Sequence, residues 1–257
     1  MKILALGDIA EPRAVLYLKA KLPAFVRANK IDFVVANGEN AAFINPPSPE
    51  LAREILDLGV DCMTGGNHTM RNRLLYPMLD NEARMLRPQN YPPTVAGRGY
   101  TVLTKNGIRI LCMNVMGRVH IEPPLDSPFY AIDRVLTREE GKYDIALLDI
   151  HAEATGEKLA LAHYFDGRVT VIFGTHTHIP TADERVMPKG TGYITDLGMC
   201  GSDGGILGVD PAGIIARMTT GLPVRVDPDT GDVVAMGAIF TVDTDKKCCT
   251  EVTRVRF

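Results

Sequence analysis

The chain has 257 residues, 46% of them hydrophobic and 23% charged, with a formal net charge of -3. That usage excludes a disordered polyampholyte, and a pI near 6.1 excludes a broad basic surface built to neutralise a long nucleic acid. The length lies within what one large α/β domain fills, so a single domain over residues 1–257 is expected.

The opening MKILALGD is too short for a signal segment and ends in an acid instead of a small-residue cleavage site. No run reaches membrane-spanning length, so a cytoplasmic protein with no membrane attachment is expected. Five cysteines (Cys62, Cys112, Cys200, Cys248, Cys249) contain no CxxC and read as reduced structural thiols.

The first apolar run, KILALG, predicts a strand ending at Asp8, and residues 13 to 28 predict a helix despite Pro23. DFVVANG predicts a second strand, ending before Glu39. SPELAREILDLG follows with a Ser48 cap, Pro49 at the first helical position and Gly59 as the left-handed stop. A strand through Met63 and a helix over 73 to 80 come next. The Pro- and Gly-rich RPQNYPPTVAGRG is a loop before strands near 100 to 104 and 108 to 115. A helix is expected at 128 to 140, then strands at 144 to 150, 169 to 173 and 192 to 196, with a helix near 154 to 165 between the first two. Asp210 and Pro211 open a short helix. From Pro223 the alternating VRVDPDTGDVVAMGAIFTVDT predicts an antiparallel hairpin turning at Asp229-Thr230-Gly231. Two packed sheets with helices outside accommodate this mixture.

Polar residues recur at the ends of the apolar runs: Asp8, Glu39 with Asn40, Asn67 with His68, His151, and the pair His176 and His178. Loops at strand carboxyl ends converge on one face of an α/β protein, so chain-distant residues can meet there. Taken singly, Asp8 also reads as a helix cap and Glu39 as a paired carboxylate near a turn. GTHTH at 174–178 is sharper, because two buried imidazoles one residue apart need a common ligand or several hydrogen-bond partners. His120 and His163 read as ordinary surface or packed residues.

The donor inventory of carboxylates, imidazoles and amide oxygens, with no thiolate, suits manganese, iron, zinc or nickel. Two divalent or mixed-valence ions, iron or manganese first and zinc or nickel next, are the expected cofactors. They would bring about +4 against about -2 from the carboxylates, a centre attractive to phosphate. Such a pair, about 3.5–4 Å apart, activates a bridging water and clamps phosphoryl oxygens. His68, adjacent to Asn67 but not needed as a ligand, is the candidate general acid for the leaving group.

Along nearly its whole length the chain resembles the calcineurin-like metallophosphoesterases, and more closely their YmdB-like branch of 2',3'-cyclic-nucleotide phosphodiesterases. The resemblance is carried by ALGDI, NGENAA, GNHT, RPQNYP, HAEATGEKLAL, GTHTHIPTAD, MPKGTGYITDLGM and GILG. It implies a four-layer α/β/β/α sandwich of two mixed sheets flanked by helices. It also implies Glu39 bridging two metals, with Asp8, Asn40 and His178 on one ion and Asn67, His151 and His176 on the other, and His68 as the catalytic histidine. A small phosphodiester substrate and assembly into dimers or tetramers are further expectations.

Three departures from the family pattern lie beside the site: Glu11 to Val15 where a glycine-rich turn is usual, Met70 and Arg71 where Trp-Asp is usual, and CGSDGG at 200–205. They suggest a changed rim, with Arg13, Arg71 or Arg118 supplying anion contacts. Two other functions suit the same residues: a phosphomonoesterase, either nucleotidase or protein phosphatase, and a regulatory protein in which metal only stabilises the fold.

Overall fold

The computed structural model describes all 257 residues. The chain begins β1 (Lys2–Ile9), α1 (Pro12–Asn29), β2 (Phe33–Asn37), α2 (Pro49–Asp57) and β3 (Cys62–Thr64). Two 3-10 turns, Thr69–Arg71 and Arg73–Leu75, lead into α3 (Tyr76–Asn81), β4 (Tyr100–Lys105), β5 (Ile108–Met116) and α4 (Pro128–Arg138). Next come β6 (Ile145–His151), α5 (Thr155–Phe165), β7 (Val171–Thr175), β8 (Arg185–Val186), β9 (Gly192–Ile194) and β10 (Met199–Ser202). Helix α6 (Pro211–Thr220), β11 (Val233–Asp243) and β12 (Cys248–Arg256) complete the fold. No helix is long and apolar enough to cross a membrane.

One sheet has the order β12-β11-β10-β1-β2-β3 and the other β4-β5-β6-β7-β9-β8. The pleat sends alternate residues of each strand to opposite faces, and here both faces are apolar. Ile3 and Ala5 of β1 meet Leu147 of β6, Phe173 of β7 and Phe240 of β11 in a core between the sheets. Leu4 and Leu6 turn outward onto Val15, Leu18 and Leu22 of α1 and Ile55 of α2. On the far side, Leu148 of β6 and Leu111 of β5 pack under Ile132 of α4 and Leu161 and Phe165 of α5. These three cores make the four layers of an α/β/β/α sandwich.

Two features aim the strands at a common site. Strand β11 pairs with β1 from Lys2 to Leu6, after which β10 wedges between them, pairing Asp8 with Met199. The register of β1 against β2 also slips at Gly7, where Leu6 faces Ala36 and Asp8 faces Asn37. A bulge of this kind re-aims the following side chain. Gly7 is required at this point, because a Cβ would overlap the carbonyl of Gly198.

Two sequence expectations need correction, and one strand is unexpected. The hairpin of the last third is β11 with β12, turning after Asp243, and Asp229–Gly231 is a turn in the excursion between β10 and β11. Val224 and Val226 are half-buried, Val226 beside Gly213 of α6, and pair with no strand, so the alternation of VRV does not become a hairpin arm; Asp229 instead accepts the Gly231 N–H in a local turn. The helix expected over 73–80 is split, its first turn 3-10 with Asn72 accepting from Leu74 N–H. Strand β10 carries no signal in CGSDGG, because glycine and serine are poor strand formers and only its neighbours hold it extended.

Candidate metal centre

Each donor is delivered by a strand end. Asp8, fully buried, accepts the backbone N–H of His176 at 3.0 Å through Oδ2. After β2, Asn37 Oδ1 caps the turn by accepting Glu39 N–H at 3.0 Å. After β3, the N–H of His68 donates to Glu39 Oε2 at 2.8 Å. His151 is the last residue of β6, and His176 and His178 follow β7 with φ of 103° and 65°. Left-handed backbone at two non-glycine residues is costly and persists where the surroundings impose it, characteristically at functional sites. Gly66 completes the cradle, since a Cβ there would collide with Glu39 Oε2 and the His151 ring.

The seven expected ligands meet in two groups around Glu39. On one side, His151 Nε2 lies 3.2 Å from Glu39 Oε1, 3.0 Å from Asn67 Oδ1 and 3.1 Å from His176 Nδ1. Ligating atoms of Glu39, His151 and His176 all fall within 4.8 Å of one another. On the other side, His178 Nε2 is 3.3 Å from Asn40 Nδ2 and 3.8 Å from Asp8 Oδ1, and Asn40 Nδ2 is 3.2 Å from Glu39 Oε1.

This donor set fits divalent cations. Asp8 Oδ1 and His178 Nδ1 are buried without any hydrogen-bond partner. An uncompensated buried carboxylate oxygen is expensive, and a cation is its natural complement. The electrostatics agree. Burial pushes the Asp8 carboxyl up, with only partial relief from His178 and His151. Burial also works against the Glu39 carboxylate, but His151 and His68 outweigh it and bring its pKa to about 2. Against its own burial, His151 is carried up to about 9 by Glu39, Asp8 and Asp149, whereas burial and the charge of His151 push His176 down to about 3.

His68 is differently placed. Its Nδ1 is bonded to Asn40 Oδ1, which leaves Nε2 as the ring's free nitrogen. An amide oxygen has two lone pairs, so Asn40 can orient His68 and still serve as a ligand. Burial lowers the pKa of His68, with Glu39 acting in the opposite sense.

Several supporting residues are invisible to a motif reading. His151 Nδ1 is 2.9 Å from Thr175 Oγ1, which donates at 2.8 Å to Asp149 Oδ1; Thr64 Oγ1 donates to Asp149 Oδ2 at 2.5 Å. That relay fixes the imidazole's orientation, a role typical of groups behind metal-binding histidines. His176 Nε2 meets Glu153 Oε2 at 3.1 Å, so the other ring nitrogen faces the donor cluster. Beneath the histidine loop, fully buried Lys158 donates to Asp196 Oδ2 at 2.7 Å, and that carboxylate also accepts Thr177 N–H and Gly198 N–H. The signal available for these residues was a polar side chain inside an apolar run, as in Asp149 of IALLDI.

The three arginines are not brought into the centre. Arg13 donates to the carbonyls of Asp229 and Gly231 at 2.9 and 2.7 Å, while Glu11 Oε1 accepts Ser202 N–H. Ser202 Oγ in turn bonds Asp229 Oδ2. Two of the three departures from the family pattern therefore meet and tie down the base of the β10–β11 excursion. Arg71 is exposed on the turn after His68, its charge felt there. Arg118 is exposed beyond β5, its backbone N–H on Glu157.

A four-layer sandwich with this donor set where its strands end defines the calcineurin-like metallophosphoesterases, a class of phosphoric ester hydrolases. Within that class the chain belongs to the YmdB-like protein family, whose model matches residues 4–255. It is 37% identical over 255 residues to a 2',3'-cyclic-nucleotide 2'-phosphodiesterase of Bacillus subtilis, covering 99% of this chain and 96% of that protein. The crystal structure of a phosphatase from Mycoplasma pneumoniae superposes with a TM-score of 0.93 at 31% identity, covering 100% of this chain and 93% of the other. A 5'-nucleotidase precursor from Thermus thermophilus shares the fold at a TM-score of 0.56 and 14% identity, over 100% of this chain and 54% of its own.

Proposed function

We propose that the protein is a dimetal phosphodiesterase that hydrolyses 2',3'-cyclic nucleotides or related small phosphodiesters, with His68 as general acid. The observation that carries this reading is the arrangement at His68: Nδ1 engaged by Asn40, its own backbone N–H on Glu39, and the ring lining the cavity beside the donors. Two divalent ions, iron or manganese first and zinc or nickel next, would be held by Glu39 between Asp8, Asn40 and His178 on one side and Asn67, His151 and His176 on the other. Bound there, they supply Lewis-acid stabilisation of phosphoryl charge and a more acidic water.

The chain's own residues then do the positioning. Glu39 sits at the junction of the two donor groups. Asn40 accepts the Nδ1–H and sets the plane of the His68 ring, so that the imidazolium form can give its Nε2 proton to the departing alkoxide oxygen and leave the neutral ring still bonded to Asn40, a contribution worth roughly 10²–10⁴ in rate. The Thr175–Asp149 relay keeps His151 from rotating. The B. subtilis relative at 37% identity supports the diester substrate, and the M. pneumoniae relative's description as a phosphatase favours monoester hydrolysis as the second reading.

The test is elemental analysis of protein purified without chelator, with hydrolysis of adenosine 2',3'-cyclic monophosphate and of a phosphomonoester measured side by side. Two metal equivalents and diester turnover are expected, and His68→Ala should lose turnover while retaining metal. Turnover of the monoester alone, or full turnover by His68→Ala, would overturn the proposal.

A further inference from the structure

Beside the donor cluster lies a cavity of about 280 Å³ lined by twelve residues. Its floor is Asn40, His68, His176 and His178, and the remaining eight lining residues are hydrophobic. No lysine, arginine, aspartate or glutamate lines it. One wall is Phe43 and Ile44, from the loop after Glu39 and Asn40. The other comes from the β10–β11 excursion and includes Leu207, Ile214 and Met218.

That excursion is built as a cap. Helix α6 has no buried residue, and Met218 and Leu207 are 79% and 44% exposed. It is nevertheless anchored at its base, through Asp203 N–H to Asp232 O at 3.1 Å, Asp229 N–H to Gly208 O at 3.0 Å, and the two Arg13 bonds already described. Its Leu207 and Met218 side chains are thus held beside the site while open to solvent, with Ile206 and Ile214 half-buried below them.

Backbone strain marks the same cavity. Nine non-glycine residues of the chain have positive φ, and five of them line this space: Phe43, Ile44, His176, His178 and Leu207, four of these between 55° and 65° and His176 at 103°. A β-branched residue in left-handed backbone, as at Ile44, is a genuine outlier, and such outliers persist where function over-determines them. Strain that holds the ligands on the floor also presents the apolar walls.

We propose that this cavity is a specificity pocket for the flat, uncharged ring of a nucleobase-like group carried by the substrate, lying between Phe43 and Ile44 on one side and Leu207, Ile214 and Met218 on the other. The inference rests on the phosphodiesterase reading and adds to it what the second half of the substrate must be. Anion recognition is left to the metal centre. The volume is at the small end for ligand pockets, enough for one ring system and not for a long oligonucleotide. Apolar walls without a fixed charge select against an organic group bearing a further phosphate, because that charge would be desolvated unpaired.

The test compares kcat/KM for adenosine 2',3'-cyclic monophosphate with that for 1-O-methylribose 2,3-cyclic phosphate, which has the same reacting ring and no base. It uses the metal-loaded protein and two variants, Met218→Gln and Leu207→Asn. Both side chains face solvent, and asparagine tolerates left-handed backbone, so folding is not at stake. The wild type should prefer the base-bearing substrate, and each variant should cut that preference about tenfold, the scale of lost apolar contact in a specificity pocket. Equal use of both substrates by the wild type, or preferences unchanged in both variants, would overturn the pocket.

A second readout needs no phosphate and no turnover. Titrating adenosine into the protein should shift the Met218 methyl resonance saturably, whereas methyl riboside should not; a methyl group unmoved by adenosine would refute the proposal. Should the wild type hydrolyse neither cyclic diester, the phosphodiesterase reading falls, and the methyl titration alone decides the pocket.

Discussion

Lys158 offers a quantitative test of how the histidine loop is held. Its ammonium is fully buried, 2.7 Å from Asp196 Oδ2, and that carboxylate accepts Thr177 N–H at 3.2 Å and Gly198 N–H at 3.0 Å. Thr177 lies between His176 and His178, and the carbonyl of Gly198 accepts the N–H of Asp8 at 3.2 Å. One buried carboxylate therefore braces the backbone behind both groups of donors. Lys158→Met keeps the apolar stem but leaves Asp196 without its cation, and breaking a buried ion pair on one side costs about 3–5 kcal/mol. At about 2–4 °C per kcal/mol for a chain of this size, the melting temperature should fall by roughly 6–20 °C. Adding Asp196→Asn removes the stranded charge and should recover part of the loss. Thermal unfolding of both variants followed by circular dichroism measures it. A loss below about 1 kcal/mol for Lys158→Met, the scale of an exposed pair, would refute the reasoning, as would a double variant no more stable than the single one.

Gly66→Ala should express as a folded protein that has lost most of its metal, because the added Cβ takes the space between Glu39 and His151; full metal content by elemental analysis would show the cradle to be looser than drawn. Thr175→Val removes the hydroxyl between His151 and Asp149 and should cost about 1–3 kcal/mol in stability and roughly 10–100-fold in metal affinity, read by denaturation and competition with a chromophoric chelator. Dialysis against EDTA should lower the melting temperature, since ligand at a thousandfold excess over its Kd stabilises by about 4 kcal/mol; an unchanged transition would argue against two bound ions. Burial raises the thiols of Cys200 to about 12 and Cys249 to about 11, so in the native protein at pH 8 a thiol reagent should modify partly exposed Cys248 and spare Cys200 and Cys249 until unfolding. Rapid native labelling of Cys200 would contradict its burial beside Asp8.

The donors were legible because the physics that makes them is local. KILALG, DFVVANG, IALLDI and VTVIFGT are continuous apolar runs of the kind buried on both faces, and in this fold they are β1, β2, β6 and β7. A charged or imidazole residue where such a run stops is exposed to the common rim, and topology does the rest. The support behind the donors was not legible for the converse reason. Asp149 faces Thr64 and Thr175, 85 and 26 residues away, and Lys158 faces Asp196 across 38 residues. Nothing in a strand or helix period specifies such partners, which exist only once two sheets have been stacked.

The excursion between β10 and β11 shows the limit from the other side. Its alternating VRV and its DTG turn carry the local pattern of a hairpin, and strand pairing was the natural expectation. A hairpin needs a face to bury, and the central strands of both sheets already spend their inner and outer faces on the three cores. Residues 203–232 are instead held by a few backbone bonds and by Arg13 at the base, and Ile206, Leu207, Val209, Ile214 and Met218 line the cavity together with Phe43 and Ile44. The departures at Glu11 to Val15 and Ser202 to Gly204 thus bear on how the cap is hinged, not on which cations bind.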